Sequence, residues 1–193
     1  MCSKANRRNV RIGGTENPHA TTGHVRDLPK VNVFGAVSSC KVYGPFFFAK
    51  PTATGINYLD MLQQWLMPQL QKDSAIFIFQ QDGAPPHIHF YVRAHLNANL
   101  TGHWIGRASH NDSALLTWPP RSPDLTPCDF FLRSYIKDCV YVPPMPHNLP
   151  QLRQRIVEAV TTIDCQMLQH VWQELHYRID ICRVIKGGHI EHL

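Results

Sequence analysis

The sequence predicts an α/β protein in which helices flank a mixed sheet. The first reason is that short β-type runs and segments with helical spacing alternate along the chain. The second is size, because 193 residues with 44% hydrophobic side chains suffice for one domain with a buried core. This apolar content also excludes a fully disordered chain.

The first elements are a predicted hairpin and a predicted helix. Residues 31–37 (VNVFGAV) and 42–48 (VYGPFFF) are two β-rich runs separated by a short polar stretch, which is the pattern of a hairpin. Residues 56–70 carry apolar side chains at helical spacing, so a helix is expected to follow. Pro68 lies inside this segment and is expected to kink or end the helix.

The middle of the chain predicts a buried strand, a helix and a second strand. Residues 75–79 (AIFIF) form a short continuous apolar run, which is typical of a strand that is buried on both faces. Residues 88–100 are predicted to be helical, and residues 115–118 to form a short strand.

Two helices are predicted in the last third of the chain. The first spans residues 126–140, with Thr126 as its N-cap and Pro127 as its first helical residue. The second runs from Leu149 to about Cys182, because apolar residues keep the helical period over this whole stretch.

The basic charge of the chain lies at its front. The formal charge is +5, and the first 50 residues contribute eight basic and two acidic side chains. We therefore divide the chain into a basic N-terminal arm (1–30), a core (31–148) and a C-terminal helix with a tail that packs on the core (149–193). A basic arm indicates an acidic partner. Its basic residues are Lys4, Arg7, Arg8, Arg11, Arg26 and Lys30.

Cysteine usage and hydropathy indicate an intracellular chain. The six cysteines include no C-x-x-C pair, which favours reduced thiols over a disulfide framework in a chain of this length. The first residues are polar and basic, unlike a secretory signal, and no apolar run approaches the roughly 18 residues of a membrane span.

Asp82 is the first candidate for catalysis. It follows the predicted buried strand, and ligands of open α/β sheets gather at the carboxyl ends of the strands. The alternative is structural, because in an Asp-Gly turn such as Asp82-Gly83 the carboxylate binds nearby backbone N–H groups.

Asp129 is the second candidate, and it also has a structural alternative. It follows Thr126 by three residues, so that the two could form a capping box at the start of the predicted helix. A catalytic role requires this helix start to lie beside the strand that ends at Asp82. Asp124 is a neighbouring carboxylate whose simpler role is to order the turn.

The candidate carboxylates favour magnesium over zinc. Carboxylates that converge on one point bind Mg²⁺, and a pair of such ions can stabilise both oxygens of a phosphodiester during its cleavage. The competing signal is His87 and His89, whose rings would share one face of a strand and could bind zinc. No cysteine or third histidine follows at standard ligand spacing nearby, which counts against zinc.

Two motifs resemble the mariner-type DNA transposases. The first is residues 79–87 (FQQDGAPPH), and the second is residues 118–131 (WPPRSPDLTPCDFF). The resemblance extends over nearly the whole chain, roughly residues 5–193. Shorter matches lie upstream at residues 33–37 (VFGAV), 44–48 (GPFFF) and 54–58 (TGINY).

The resemblance implies a ribonuclease-H-like catalytic domain in which an Asp-Asp-Asp or Asp-Asp-Glu triad holds Mg²⁺. Members of the family cut DNA at transposon ends and join the freed 3′-hydroxyl to a target. By motif, Asp82 matches the second catalytic and metal-binding carboxylate and Asp129 the third, while His87 matches a residue near the active site. DNA is then the expected partner, a homodimer a further expectation, and the nucleus the expected location.

The sequence departs from the family before the hairpin. The family's first catalytic Asp lies on a strand there, whereas only Glu16 and Asp27 precede Val31 in this chain, both in loop-like sequence. We therefore expect a ribonuclease-H-like sheet that lacks its first central strand and is poorly stable. Arg133 and Ser134 stand where the family suggests an aromatic residue and a glycine.

The functional hypothesis is a protein derived from a mariner-type transposase. An active transposase or nuclease needs a third carboxylate near Asp82 and Asp129, so we expect no Mg²⁺-dependent cleavage or strand transfer. One alternative is a non-catalytic DNA-binding or interaction protein derived from a transposase. The other is a zinc-binding or interaction protein without a nucleic-acid role.

Overall fold

Strands and helices alternate along the chain as the sequence predicts. The structure is a computed structural model that describes residues 30–50, 52–119 and 122–186. Its elements are β1 (Val33–Val37), β2 (Val42–Phe47), α1 (Gly55–Met61), a first π-helical turn (Leu62–Leu66), α2 (Met67–Asp73), β3 (Phe79–Gln80), α3 (Phe90–Asn99), β4 (Trp104–Gly106), β5 (Leu116–Thr117), a 3₁₀ turn (Pro123–Leu125), a second π-helical turn (Cys128–Arg133), α4 (Ser134–Val140), α5 (Leu149–Thr161) and α6 (Cys165–Val184).

The predicted hairpin is confirmed. β1 and β2 pair antiparallel, with Val33 opposite Phe47 and Val37 opposite Val42. The register shifts near Gly35, where the chain passes close to the second π-helical turn.

The hairpin lies between two hydrophobic clusters. Successive side chains of a strand point to opposite faces, so Phe34 and Ala36 pack against one cluster while Val33 and Val37 pack against the other. The first core consists of Tyr43, Phe48, Tyr58, Met61, Leu62, Leu66, Met67, Phe79, Val92, Leu96 and Trp104. The second core consists of Leu132, Ile136, Val140, Leu152, Ile156, Ala159 and Val160.

A widened turn carries the first helix past Pro68. The first π-helical turn ends at Leu66, and α2 then continues to Asp73, so the predicted end at the proline does not occur. Proline has no N–H, and its ring crowds the carbonyl four residues earlier. A π-helical turn relaxes this crowding because its hydrogen bonds span five residues.

A second sheet contains the short parallel strands β3, β4 and β5 in that order. β5 confirms the strand expected at residues 115–118. The prediction that residues 75–79 form a strand buried on both faces is wrong, since Ile76 is 78% exposed and Ile78 is 56% exposed. Pairing with the three-residue β4 begins only at Phe79, so the residues before it have no neighbouring strand in this sheet.

The C-terminal segment forms two helices where the sequence predicts one. α5 ends at Thr161, and the side chain of Asp164 then accepts a hydrogen bond of 2.8 Å from the Met167 backbone N–H to start α6. Such an N-cap defines a new helix start. Both helices bury one face, which explains why the apolar period runs on through the break. Within the described residues, no helix is long and apolar enough to cross a membrane.

A disulfide joins the β1–β2 turn to the start of α6. It links Cys40 to Cys165, whose Cα atoms lie 4.2 Å apart although 125 positions separate them in sequence. The expectation of reduced thiols is therefore wrong for this pair. Sequence spacing carries no signal for such a contact, because it depends on how the hairpin and α6 pack. Cys128, Cys139 and Cys182 are free thiols.

Candidate functional site

Asp82 and Asp129 line the same groove. Asp82 follows β3, and Asp129 lies in the second π-helical turn. These two elements and β1 enclose a space of about 290 Å³. A catalytic role of Asp129 requires the start of its helix to lie beside the end of the strand that precedes Asp82. The structure places the two elements side by side in this way.

The carboxylate of Asp82 is held by the turn that follows it. Its Oδ1 atom accepts a hydrogen bond of 2.9 Å from the Ala84 backbone N–H and lies 2.6 Å from Nδ1 of His87. The hydrogen bond from His87 holds the pKa of Asp82 below its usual value, although burial acts in the opposite direction. The expected Asp-Gly turn is thus present, and 37% of the Asp82 side chain remains exposed to the groove and solvent.

A buried tyrosine and a buried glutamine support this turn, and neither was predicted as a site residue. The Tyr58 hydroxyl donates to Oε1 of Gln81 at 3.1 Å, and Nε2 of Gln81 donates to the His87 carbonyl at 3.1 Å. The rings of Tyr58 and His87 pack with their centroids 4.3 Å apart. Burial raises the pKa of Tyr58, so this hydroxyl keeps its proton. Both residues lie inside stretches that resemble the mariner-type transposases, residues 54–58 and 79–87, and this position is the sequence signal that could have identified them.

Asp129 does not form the capping box that the sequence allows. The Thr126 hydroxyl donates to the Ser122 carbonyl at 3.0 Å, and the Asp129 N–H donates to the Thr126 carbonyl at 2.8 Å. The carboxylate, 17% exposed, lies 3.0 Å from the guanidinium of Arg133. Burial and the charge of Asp82 raise the pKa of Asp129, and Arg133 opposes them. Asp124 lies in the preceding 3₁₀ turn.

A second cleft begins at the same two carboxylates. It measures about 410 Å³, and Arg107, Trp118 and Arg133 contribute to its walls. Arg107 is exposed and runs beside Gly83, where a Cβ would lie 3.5 Å from the Cδ of Arg107. The cleft therefore combines two guanidinium groups, an indole ring and two carboxylates.

Cys128 is a structural residue of the groove. Its Sγ atom lies 3.7 Å from the Gly35 carbonyl. Burial raises the pKa of this thiol to about 12. A thiol that keeps its proton at neutral pH is neither a nucleophile nor a ready metal ligand.

The histidines do not form the arrangement that a zinc site would need. His87 lies in a turn and His89 precedes α3, so the interpretation of two rings on one face of a strand is wrong. Across the described residues, no group of three or more His, Cys, Asp and Glu side chains could hold a metal ion.

The pair of Asp82 and Asp129 fits one hard divalent cation by the chemistry of its donors. Both groups offer carboxylate oxygens, which Mg²⁺ prefers, and the rest of its coordination shell is commonly water. Each of them also has a partner in the protein, His87 for Asp82 and Arg133 for Asp129. A cation would therefore compete with these contacts.

Most of the predicted basic arm lies outside the described residues. This applies to Lys4, Arg7, Arg8, Arg11 and Arg26, whereas Lys30 is described and exposed. The prediction that these side chains bind DNA stays a prediction.

The chain is similar in structure to the Mos1 transposase. It aligns with the Mos1 strand transfer complex at a TM-score of 0.70 and 21% identity, over 96% of this chain and 51% of that one. For the paired-end complex with the left transposon end, the TM-score is 0.69 at 20% identity, over 96% and 52%. For the catalytic domain with raltegravir and Mg, it is 0.63 at 20% identity, over 81% and 75%.

No protein-family profile and no curated protein matches this chain. The chain spans about half the length of the Mos1 chains in the DNA complexes. These similarities confirm the expected mixed α/β class. This chain therefore has the fold of the catalytic domain of Mos1 mariner transposase.

Proposed function

We propose that this chain is derived from a mariner-type DNA transposase and keeps two carboxylates of its catalytic centre, Asp82 and Asp129. One observation carries the proposal: the two residues stand in separate motifs of the sequence, yet they line one groove in the fold of the Mos1 catalytic domain. The shared groove is what the motif assignment requires.

Asp82 and Asp129 would together hold a divalent cation. Structures of the Mos1 catalytic domain with Mg and with Mn support this choice of ion. A bound ion of this type polarises a phosphodiester and favours ionisation of its bound water. The protein's own part is to orient the ligands: His87 fixes Asp82, while Gln81 and Tyr58 fix His87.

We further propose that this pair does not catalyse excision or strand transfer. A two-ion reaction needs ligands that hold both ions a few Å apart. Among the described residues that line the groove, no third carboxylate accompanies Asp82 and Asp129. The contacts of His87 and Arg133 further reduce how well these two carboxylates can bind an ion. In the ribonuclease-H-like sheet that the resemblance implies, the strand with the family's first catalytic Asp would lie between β1 and β3.

The second cleft supports a nucleic acid as the partner. Arg107 and Arg133 can neutralise phosphates, and Trp118 offers an aromatic surface on which a base could stack. The basic arm would add phosphate contacts without sequence preference. A DNA partner also agrees with the nuclear location that we expect.

Catalytic inactivity is tested by nicking of supercoiled DNA and cleavage of transposon-end duplexes with Mg²⁺ or Mn²⁺. We expect no product above background from the wild-type chain. Cleavage that disappears in an Asp82→Asn variant would contradict this part of the proposal, because it would place an active centre at the same carboxylate. Cleavage that persists in Asp82→Asn would indicate a contaminating nuclease.

DNA binding is tested by fluorescence anisotropy at low and at physiological salt. Affinity should fall as salt rises, and Arg107→Gln should weaken binding by several-fold because it removes one phosphate contact. Arg183→Gln removes the same charge from an exposed pair on α6 and serves as the matched control. Absence of binding at low salt would instead favour the alternative of an interaction protein.

A further inference from the structure

Arg133 is a cation that the chain itself supplies to the carboxylate pair. It follows Asp129 by four residues in the second π-helical turn, and its Nη2 atom lies 3.0 Å from Oδ1 of Asp129. It lines both the groove and the second cleft together with Asp82 and Asp129.

We propose that Arg133 is an internal counter-cation that weakens divalent-cation binding at Asp82 and Asp129. The inference rests on the proposed function, since it assumes that these two carboxylates are the cation site. It deepens that proposal by naming the residue that sets the affinity of the site.

Two effects of the guanidinium act in the same direction. It forms an ion pair with the Asp129 carboxylate, and an incoming ion would have to displace this contact. It also places a positive charge a few Å from where the ion would lie, and like charges at this distance repel even in the presence of water. Together these effects should lower the affinity for a divalent ion about tenfold.

The contact is weak enough to be displaced. About half of the Arg133 side chain is exposed, at 49%, and an ion pair between residues four apart on a helix contributes little to stability when it is exposed. Arg133 should therefore reduce the affinity of the site without blocking it. For the same reason, its replacement should leave the fold intact.

The test is Mn²⁺ binding to the full chain, measured by the electron paramagnetic resonance signal of the free ion. Arg133→Met should bind Mn²⁺ about tenfold more tightly than the wild-type chain. Arg133→Lys keeps a positive charge and should return the affinity toward the wild-type value. Arg183→Met removes one charge from an exposed pair on α6 and should behave as wild type. Thermal unfolding verifies that each variant is folded.

Asp82→Asn reports whether the binding occurs at the proposed site. If Asp82→Asn abolishes binding but Arg133→Met leaves it unchanged, the role of Arg133 is wrong and the cation site stands. If neither the wild-type chain nor Arg133→Met shows binding that depends on Asp82, the cation site itself is wrong, and the inference falls with it. Equal tightening in Arg133→Met and Arg183→Met would also overturn it, because only net charge would then matter.

Discussion

The Nδ1 atom of His87 lies 2.6 Å from Oδ1 of Asp82, while the ring of His87 packs on Tyr58 with centroids 4.3 Å apart. Tyr58 is a buried residue of the first core. The orientation of the Asp82 carboxylate therefore depends on α1, through Tyr58 and His87, as well as on the turn that follows β3.

Replacing His87 by Phe should raise the pKa of Asp82. A phenyl ring can still pack on Tyr58, but it cannot donate to the carboxylate, and that hydrogen bond is the main reason for the low pKa. The measurement is a pH titration of the Asp carboxyl ¹³C shifts. Asp112 has other partners and serves as the internal control. An Asp82 titration that matches wild type would contradict the role of His87.

Gly35 should tolerate a larger side chain poorly. A Cβ at this position would lie 3.1 Å from Cδ2 of Leu132, which is closer than ordinary contact. We expect Gly35→Val to lower the free energy of unfolding by about 1–3 kcal/mol, measured by chemical denaturation. Leu132→Ala removes the crowding atom, so the double variant should lose less than the sum of the two single losses. Strict additivity would show that the two residues do not clash.

Loss of the Cys40–Cys165 disulfide should destabilise the chain. A bond that closes a loop of this length restricts the unfolded chain and typically contributes about 2–4 kcal/mol. Cys165→Ser and wild type treated with dithiothreitol should therefore show the same lowered melting temperature. Cys139 is an exposed free thiol, and Cys139→Ser should keep the sensitivity to reductant. A wild-type melting temperature that is indifferent to reductant would count against the bond.

Acid should weaken the loop around Asp112. Its carboxylate accepts hydrogen bonds from Arg93, Asn97 and Ser109. Burial opposes these contacts, yet the pKa of Asp112 falls to about 2. A lowered pKa stabilises the folded state above the unfolded value near 3.8, and this contribution is lost as the pH falls through the folded value.

The stability that Asp112 contributes, on the order of 2 kcal/mol, should thus disappear between about pH 4 and pH 2. Asp112→Asn should remove this part of the pH dependence, measured as unfolding free energies across the range. Asp180→Asn makes the same substitution at an exposed carboxylate on α6 and serves as the matched control. If Asp112→Asn follows the same pH curve as wild type, the assignment is wrong.

Local patterns predicted the elements whose partners are near in sequence. The hairpin was predictable because neighbouring residues of a strand, such as Val33 and Phe34, point to opposite faces of the sheet, and because the turn between the two strands is short. The break between α5 and α6 was not, because both helices bury one face and the cap at Asp164 is a single side-chain contact. Ile76 and Ile78 were assigned to a buried strand because sequence hydropathy does not report whether a neighbouring strand is present.

The motifs predicted Asp82 and Asp129, but not what holds them. Their shared groove is consistent with the motif assignment. The contacts of Tyr58 and Gln81 depend on distances between α1 and the turn after β3, which no spacing rule supplies. In the sequence, Arg133 is only a departure from the family pattern. Its electrostatic effect on the carboxylates follows from its distance to Asp129, which the sequence does not give.

The position of β1 between the two cores has a consequence for local unfolding. Val33 and Phe34 are adjacent, yet each packs against a different core. If either core opened, β1 would lose the layer that covers one of its faces, so the other core would be destabilised too. The two cores should therefore behave as one cooperative unit in native-state hydrogen exchange, with their slowest amides reporting the same free energy of opening.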